Sequence, residues 1–121
     1  MNSIELFSGT GGLALGLQQA GFDHKALFEW DKASCENIKE NIANGYPGVR
    51  DWKVYQTDVR TVNYNGYTGS IQLVAGGPPC QPFSLGGKHQ AYNDKRDMFP
   101  EAVRAVRETQ PEAFIFENVK G

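Results

Sequence analysis

A cysteine framed by glycines and prolines is the residue of this chain with the clearest chemical potential. The stretch Gly76-Gly77-Pro78-Pro79-Cys80-Gln81-Pro82-Phe83-Ser84 follows a short apolar run, Ile71 to Ala75, that is typical of a buried strand. The prolines fix the backbone and remove amide donors, so neither strand nor helix continues through them. A lone cysteine is more often a buried filler than a nucleophile, but a filler needs no such rigid frame. We therefore interpret Cys80 as a reactive thiol on a stiff turn beyond a strand end.

A second signal is the glycine-rich segment Gly9-Thr10-Gly11-Gly12-Leu13-Ala14, whose spacing fits the strand-to-helix turn of nucleotide-type cofactor sites. Glu29 lies about twenty residues later, where an acid accepts hydrogen bonds from ribose hydroxyls. The pattern alone does not separate NAD, FAD and S-adenosylmethionine proteins, and a structural glycine turn also satisfies it. The residues themselves therefore predict a cofactor turn and leave its ligand open.

The elements that must position these residues alternate between strands and helices, which predicts an α/β fold with a parallel sheet. Asp31 is the predicted N-cap of the second helix, and Gly21 closes the first. The third helix is expected to bury an apolar face of Phe99, Ala102, Val103 and Val106. Residues 44–51 and 63–70 are predicted to be loops. Residues 81–96 are predicted to form a long polar loop that acts as a lid on the site. The predicted strands are 3–7, 25–30, 53–56, 71–75 and 113–116, and the predicted helices 12–20, 31–41 and 97–109.

Special residues recur at the ends of the predicted strands. Gly9, Glu29, Asp58, Cys80 and Glu117 each fall at or just past the carboxyl end of one of them. Open α/β sheets bind ligands along that edge, where the strand order reverses. The sequence therefore predicts one site that combines these residues.

Length and composition narrow the function further. The chain has 121 residues, which corresponds to one domain, and its net charge of −2 lacks the basic surplus of a self-sufficient DNA-binding domain. No apolar run predicts a membrane span, and the N-terminus lacks signal-peptide features, which favours the cytoplasm. The two cysteines do not make a disulfide framework, and His24 and His89 are too isolated to predict a metal site.

The segment around Cys80 resembles the nucleophile motif of the cytosine-5 DNA methyltransferases. Five further stretches are similar to the same family in the same order, and together they cover nearly the whole chain. They are Leu6-Phe7-Ser8-Gly9-Thr10-Gly11-Gly12, Phe28-Glu29-Trp30-Asp31, Thr57-Asp58-Val59, Asp94-Lys95-Arg96-Asp97-Met98-Phe99 and Glu117-Asn118-Val119. The resemblance implies a Rossmann-like S-adenosylmethionine-dependent methyltransferase fold, here its first five mainly parallel strands with their helices.

The resemblance also implies roles in binding S-adenosylmethionine, with no metal. Phe7 and Trp30 would pack on the adenine, and Glu29 would hold the ribose. Asp58 would accept a hydrogen bond from the adenine amino group. The remaining cofactor residues implied by the family are Gly9 and Gly11 beside the methionine portion, and Val59, Pro79 and Met98 lining the pocket. Without the family match, Phe7, Val59 and Met98 would equally be ordinary core residues.

The chemistry implied by the resemblance is covalent. Cys80 would add to C6 of cytosine, which makes C5 electron-rich enough to accept a methyl group. Glu117 would support the charge that develops at N3 with a proton or a hydrogen bond. The target base must be flipped out of duplex DNA to reach the thiol. The residues expected to hold it are Pro79, Ser84, Lys88, Arg96 and Asn118.

In this family the catalytic domain continues beyond the last residue of this chain. Residues 1–121 are therefore expected to be its N-terminal part, without the target-recognition region and the C-terminal part of the fold. Such a chain is expected to be inactive alone, as a truncated piece or as one part of a split enzyme with a complementing chain. Its last strand, 113–116, is expected to be an exposed apolar sheet edge.

Three functional hypotheses follow. The first is the cofactor- and nucleophile-bearing part of a cytosine-5 methyltransferase that acts on duplex DNA. The second is a relative that methylates cytosine in tRNA, which shares the Pro-Pro-Cys pattern. The third is a non-catalytic fragment that serves assembly only.

Overall fold

A five-stranded parallel sheet with helices on both faces forms the structure, a computed structural model that describes residues 1–79 and 97–118. The predicted α/β fold is confirmed, and each predicted strand or helix boundary is correct to within two residues. The strands are β1 (Asn2–Leu6), β2 (Asp23–Glu29), β3 (Val54–Gln56), β4 (Leu73–Gly76) and β5 (Ala113–Phe116). The helices are α1 (Gly12–Gln19), α2 (Lys32–Ala43) and α3 (Phe99–Thr109).

The strand order, β3-β2-β1-β4-β5, reverses direction at β1. The chain first builds outward from β1 through β2 to β3, then crosses to the other side of β1 for β4 and β5. Leu6 is paired in register with Phe28 of β2 on one side and with Gly76 of β4 on the other. Gly76 is in turn paired with Phe116 of β5. The carboxyl ends of these strands therefore meet at one edge of the sheet, with the reversal between β1 and β4.

The sheet is buried on both faces, as parallel sheets require. One face packs Ile4, Leu6 and Phe28 against α3 and the connection between β3 and β4. The opposite face packs Leu27 against Ala14 of α1 and Ile38 of α2. Asp31 caps α2 as predicted, with its carboxylate accepting from the Ser34 amide at 2.9 Å. Within 1–79 and 97–118, every helix is too short or too polar to cross a lipid bilayer.

A register shift between β1 and β2 turns a histidine into the interior. Ser3 pairs with His24 but Ile4 pairs with Ala26, so Lys25 is the extra residue of a bulge. Ser3 Oγ and His24 Nδ1 are 2.5 Å apart, and His24 Nε2 lies 3.4 Å from Glu5 Oε1 without the alignment of a hydrogen bond. The histidine that looked isolated in the sequence is thus part of a buried polar cluster of Ser3, Glu5 and His24.

The structure adds to one sequence prediction and corrects another. The predicted loop 63–70 lies between β3 and β4 and contains a 3-10 turn, Asn65–Tyr67, and the fully buried Tyr64, whose ring stands edge-on to Phe28 at 5.5 Å. The predicted apolar face of α3 is wrong in part. Its fully buried residues include the small Ala102 and Ala105, which let the helix approach the sheet. Phe99 and Val103 remain 44% and 42% exposed.

Candidate active site

A cleft of about 550 Å³ opens at the carboxyl edge of the sheet, where the strand order reverses. It is formed by the residues that follow β1, β2, β3 and β4 and by the residue before α3. All the predicted cofactor residues except Gly11 line this one cleft. The lining residues are Phe7, Gly9, Glu29, Trp30, Thr57, Asp58, Val59, Arg60, Gly77, Pro79 and Met98.

The turn after β1 forms the floor of the cleft. Phe7 has φ +58°, a left-handed conformation that is rare for a bulky residue and is typical of functional sites under strain. Gly9 also has positive φ, and a Cβ at this position would meet no atom within 4 Å, so the space above its backbone is open. Gly11 lies at the N-cap of α1, where its Cα faces Ile38 and Trp52 instead of the cleft. Gly11 has a φ of +96°, so the turn into α1 favours a glycine at this position.

Glu29 ties the first turn to the end of β2. Its Oε1 accepts the amide of Gly9 at 2.8 Å, and its Oε2 accepts the amide of Asp31 at 2.7 Å. Each carboxylate oxygen has a second lone pair, so Glu29 can still accept hydrogen bonds from a diol. The two backbone bonds fix the orientation in which it would do so.

Asp58 carries the second acidic group of the cleft. It caps the 3-10 turn Val59–Thr61, and the Arg60 guanidinium donates to it at 2.6 Å. These hydrogen bonds from Arg60 hold the pKa of Asp58 below its usual range, so the carboxylate stays charged. Arg60 and Thr57 line the cleft but were not among the predicted site residues. Their immediate proximity to Asp58 in the chain is the signal that could have identified them.

Aromatic and apolar side chains supply the remaining walls. Trp30 is 68% exposed at the mouth of the cleft, whereas Phe7 and Met98 are partly buried and Val59 is buried. An adenosine needs a flat apolar surface for its base and acceptors for its amine and hydroxyls. The rings supply the apolar surface, and the carboxylates of Glu29 and Asp58 supply the acceptors. The residues of the cleft therefore fit S-adenosylmethionine. Among the described residues, no group of three or more histidine, cysteine or acidic side chains is arranged to hold a metal.

The residue that precedes the predicted nucleophile in the chain is part of the lining of the cleft. Pro79, the residue before Cys80 in the chain, lines the cleft, and its carbonyl accepts the amide of Met98 at 3.1 Å. Cys80 itself lies outside the described residues, together with Ser84, Lys88, Arg96 and the predicted loop over 81–96. Their roles stay predictions.

Glu117 lies beside the cleft at the end of β5. Its amide donates to the Gly76 carbonyl at 2.9 Å, which extends the β4–β5 pairing by one residue. A Cβ atom placed on Gly77 would lie 3.4 Å from the Cγ atom of Glu117. The exposed Glu117 side chain therefore lies next to Gly77, a residue that lines the cleft. Asn118 follows it and is also exposed.

The fold and this edge site define the class of protein. Solved structures with the same fold include S-adenosylmethionine-dependent methyltransferases. A prophage-encoded protein of Escherichia coli, assigned as a DNA modification methyltransferase, superposes with a TM-score of 0.76 at 36% identity. That alignment covers 100% of this chain and 32% of the other. The chain has the methyltransferase fold.

The family follows from sequence comparison. The profile of the C-5 cytosine-specific DNA methylases matches residues 1–121, and the chain belongs to this family. It is 46% identical to the type II methyltransferase M.NgoMIV of Neisseria gonorrhoeae, over 98% of this chain and 36% of that protein. It is 43% identical to the type II methyltransferase M.PspPI of a Psychrobacter species, over 98% of this chain and 27% of that protein. The chain thus spans about a quarter to a third of the length of these relatives.

Proposed function

We propose that this chain supplies the cofactor site and the nucleophile of an enzyme that methylates C5 of cytosine in duplex DNA. The observation that carries the proposal is the convergence of the predicted cofactor residues on one cleft, with the residue before Cys80 in its wall. Family membership supports the same reaction. The type II relatives further support a role in a restriction–modification system that acts on DNA, and we propose the cytoplasm as its location.

S-adenosylmethionine, when bound, supplies an electrophilic methyl group. We assign Trp30 and Phe7 to the adenine, Glu29 to the ribose hydroxyls and Asp58 to the adenine amino group. Glu29 is held by two backbone amides, and Asp58 stays charged beside Arg60. Glu29 therefore keeps a lone pair on each oxygen for the ribose, whereas Asp58 shares both of its carboxylate oxygens with Arg60 and would give up part of that pairing to accept a hydrogen bond from the adenine amino group.

The chemical steps belong to Cys80 and Glu117. The Cys80 thiolate adds to C6 of the flipped cytosine, and Glu117 donates a proton or hydrogen bond at N3 as charge develops on the ring. The methyl group that the cofactor would supply then bonds to C5 as its bond to the cofactor's sulfur breaks. A base removes the C5 proton, the electron pair of that C–H bond restores the C5–C6 double bond and expels the Cys80 thiolate, and N3 returns any proton it received to Glu117. Pro79, Ser84, Lys88, Arg96 and Asn118 are the residues proposed to hold the flipped base and its strand.

We further propose that residues 1–121 are the N-terminal part of a catalytic domain and need more polypeptide for activity. Phe114 and Ile115 of β5 are 58% and 48% exposed, which leaves an apolar strand at the edge of the described sheet. Additional strands, from the same protein or from a complementing chain, would cover it. Adding a polypeptide with the missing strands and recognition region should restore methylation. Failure of every such combination would favour a purely structural fragment.

Replacement of the proposed nucleophile tests the reaction. In the complete enzyme, Cys80→Ser should abolish methyl transfer while the affinity for S-adenosylmethionine, measured by calorimetry, changes little. DNA containing 5-fluorocytosine should form a covalent complex with the unchanged enzyme and with Cys35→Ala, but not with Cys80→Ser. Methyl transfer by the serine variant would refute the assignment. Parallel assays on duplex DNA and tRNA would separate the proposed substrate from the alternative.

A further inference from the structure

Arg104 of α3 joins two parts of the chain that are far apart in sequence. Its Nη2 donates to the carbonyl of Val59 at 2.9 Å, and its Nη1 donates to the carbonyl of Val62 at 2.8 Å. Both carbonyls belong to the connection between β3 and β4, the segment that carries Asp58 and Arg60. One guanidinium therefore fastens this connection to α3 without lining the cleft itself.

The guanidinium is held in this position from several sides. Glu101 Oε1 and Glu108 Oε2 accept hydrogen bonds from the guanidinium at 3.0 and 2.9 Å. The Cζ atom of Arg104 lies 5.1 Å from the centre of the Tyr64 ring. Glu108 Oε1 also accepts the amide of Tyr64 at 2.9 Å, a second link to the same connection. Arg104 keeps only 21% of its side chain exposed, so solvent screens these bonds weakly.

Both parts of the chain joined by Arg104 contribute residues to the lining of the cleft. Val59, whose carbonyl Arg104 binds, and Met98, which precedes α3, both line it. The Met98 carbonyl accepts hydrogen bonds from the amides of Glu101 and Ala102 at 2.9 and 3.3 Å, so it is tied to the first turn of α3. The position of Met98 relative to Val59 thus depends on how closely α3 is held to the β3–β4 connection.

We propose that Arg104 is a positioning residue that fixes the placement of Val59 relative to Met98 in the lining of the cofactor cleft, an inference that rests on the proposed function. It acts through Val59 on one side and through the first turn of α3 on the other. A lysine keeps the charge but has no planar fork with which to bind two carbonyls and two carboxylates at once. Arg104→Lys therefore tests geometry separately from charge.

The variant should weaken cofactor binding selectively. In the complete enzyme, we expect Arg104→Lys to raise the Kd and KM for S-adenosylmethionine about tenfold, the effect of losing one charge-assisted hydrogen bond. The kcat at saturating cofactor and the KM for DNA should change less than about twofold. Arg107→Lys, on the exposed side of the same helix, is the matched control and should leave all three constants unchanged.

A general loss of stability must be separated from a loss of positioning. Ile38→Ala removes a buried side chain of α2, which packs on the opposite face of the sheet from α3, and supplies a destabilised reference. Hydrogen exchange in the cofactor-free protein should rise at residues 59–62 and 98–102 in Arg104→Lys, but not selectively there in Ile38→Ala. Equal effects of the two variants on cofactor Kd and exchange would overturn the positioning role.

The outcomes also separate this inference from the proposed function. If the unchanged enzyme binds S-adenosylmethionine and Arg104→Lys binds it equally tightly, only the positioning role is overturned. If the unchanged enzyme binds no S-adenosylmethionine, the cofactor assignment of the cleft falls and the positioning role falls with it.

Discussion

Glu5 places a carboxyl group in the interior of the sheet, between β2 and β4. Its side chain is 1% exposed, and its nearest polar neighbour, His24, is 3.4 Å away. Burial raises the pKa of Glu5, and this effect outweighs the opposing contribution of His24; Glu117 and Glu29 raise it further. The neutral acid is therefore the form that the interior favours.

A glutamine at position 5 should make stability less dependent on pH. Since the folded-state pKa of Glu5 lies above its usual 4.5, the stability that it contributes is present below that pH and declines as pH rises. Glu5→Gln does not titrate, so its stability relative to the unchanged protein should increase from pH 4.5 to pH 8. Urea unfolding at several pH values measures this difference. The exposed Glu36→Gln is the control, and a difference that does not vary with pH would contradict the argument.

At the scale of elements, the close approach of β1 and β4 positions the carboxyl edge. A Cβ on Gly76 would lie 2.6 Å from the carbonyl oxygen of Leu6. Only a glycine lets the two strands keep this spacing immediately before the cleft. By contrast, a Cβ on Gly16, within α1, would meet nothing within 4 Å.

The two glycines should therefore respond in opposite directions to alanine. Gly76→Ala should reduce the free energy of unfolding by about 1–3 kcal/mol, because the strands must separate to admit the methyl group. Gly16→Ala should increase it by about 0.5–1 kcal/mol, because alanine loses less backbone entropy in a helix. Chemical denaturation measures both changes. A stable Gly76→Ala protein would show that the sheet accommodates the methyl group without strain.

At the scale of the whole molecule, β5 leaves an exposed apolar strand at one edge of the described sheet. Phe114 is 58% exposed, and within the described sheet β5 pairs only with β4. Phe99 and Val103 of α3 add exposed apolar area. An apolar edge strand of this kind promotes association between chains.

The chain of residues 1–121 should consequently self-associate. Phe114→Lys should weaken that association about tenfold, the effect of removing one large apolar side chain from a contact. Sedimentation at several concentrations measures it. Tyr46→Lys, which changes another exposed aromatic residue, is the control and should have little effect. A chain that stays monomeric at high concentration would contradict the prediction.

Local sequence patterns were sufficient to predict the strands, the helices and the edge at which the site lies. The reason is that alternating apolar runs, the Asp31 cap and the glycines after β1 act over a few residues. The same patterns identified Gly9, Glu29 and Asp58 of the cleft, because each lies at or just past the end of a strand in a parallel sheet, and the family resemblance implied the other predicted residues that line it. Gly11 was grouped with them by spacing, which does not show the direction in which a turn faces.

Contacts between distant segments were decided only by the tertiary structure. The burial of Tyr64, the exposure of Val103 and the fastening of Val59 by Arg104 all depend on how α3 lies against the β3–β4 connection. The Glu101, Arg104 and Glu108 spacing indicates ion pairs along a helix, but not that the same guanidinium binds two carbonyls more than forty residues away. The bulge that turns His24 inward likewise arises from pairing between strands. The sequence therefore indicated most of the residues that line the cleft, through its local patterns and its family resemblance, and packing determined how far apart they are held.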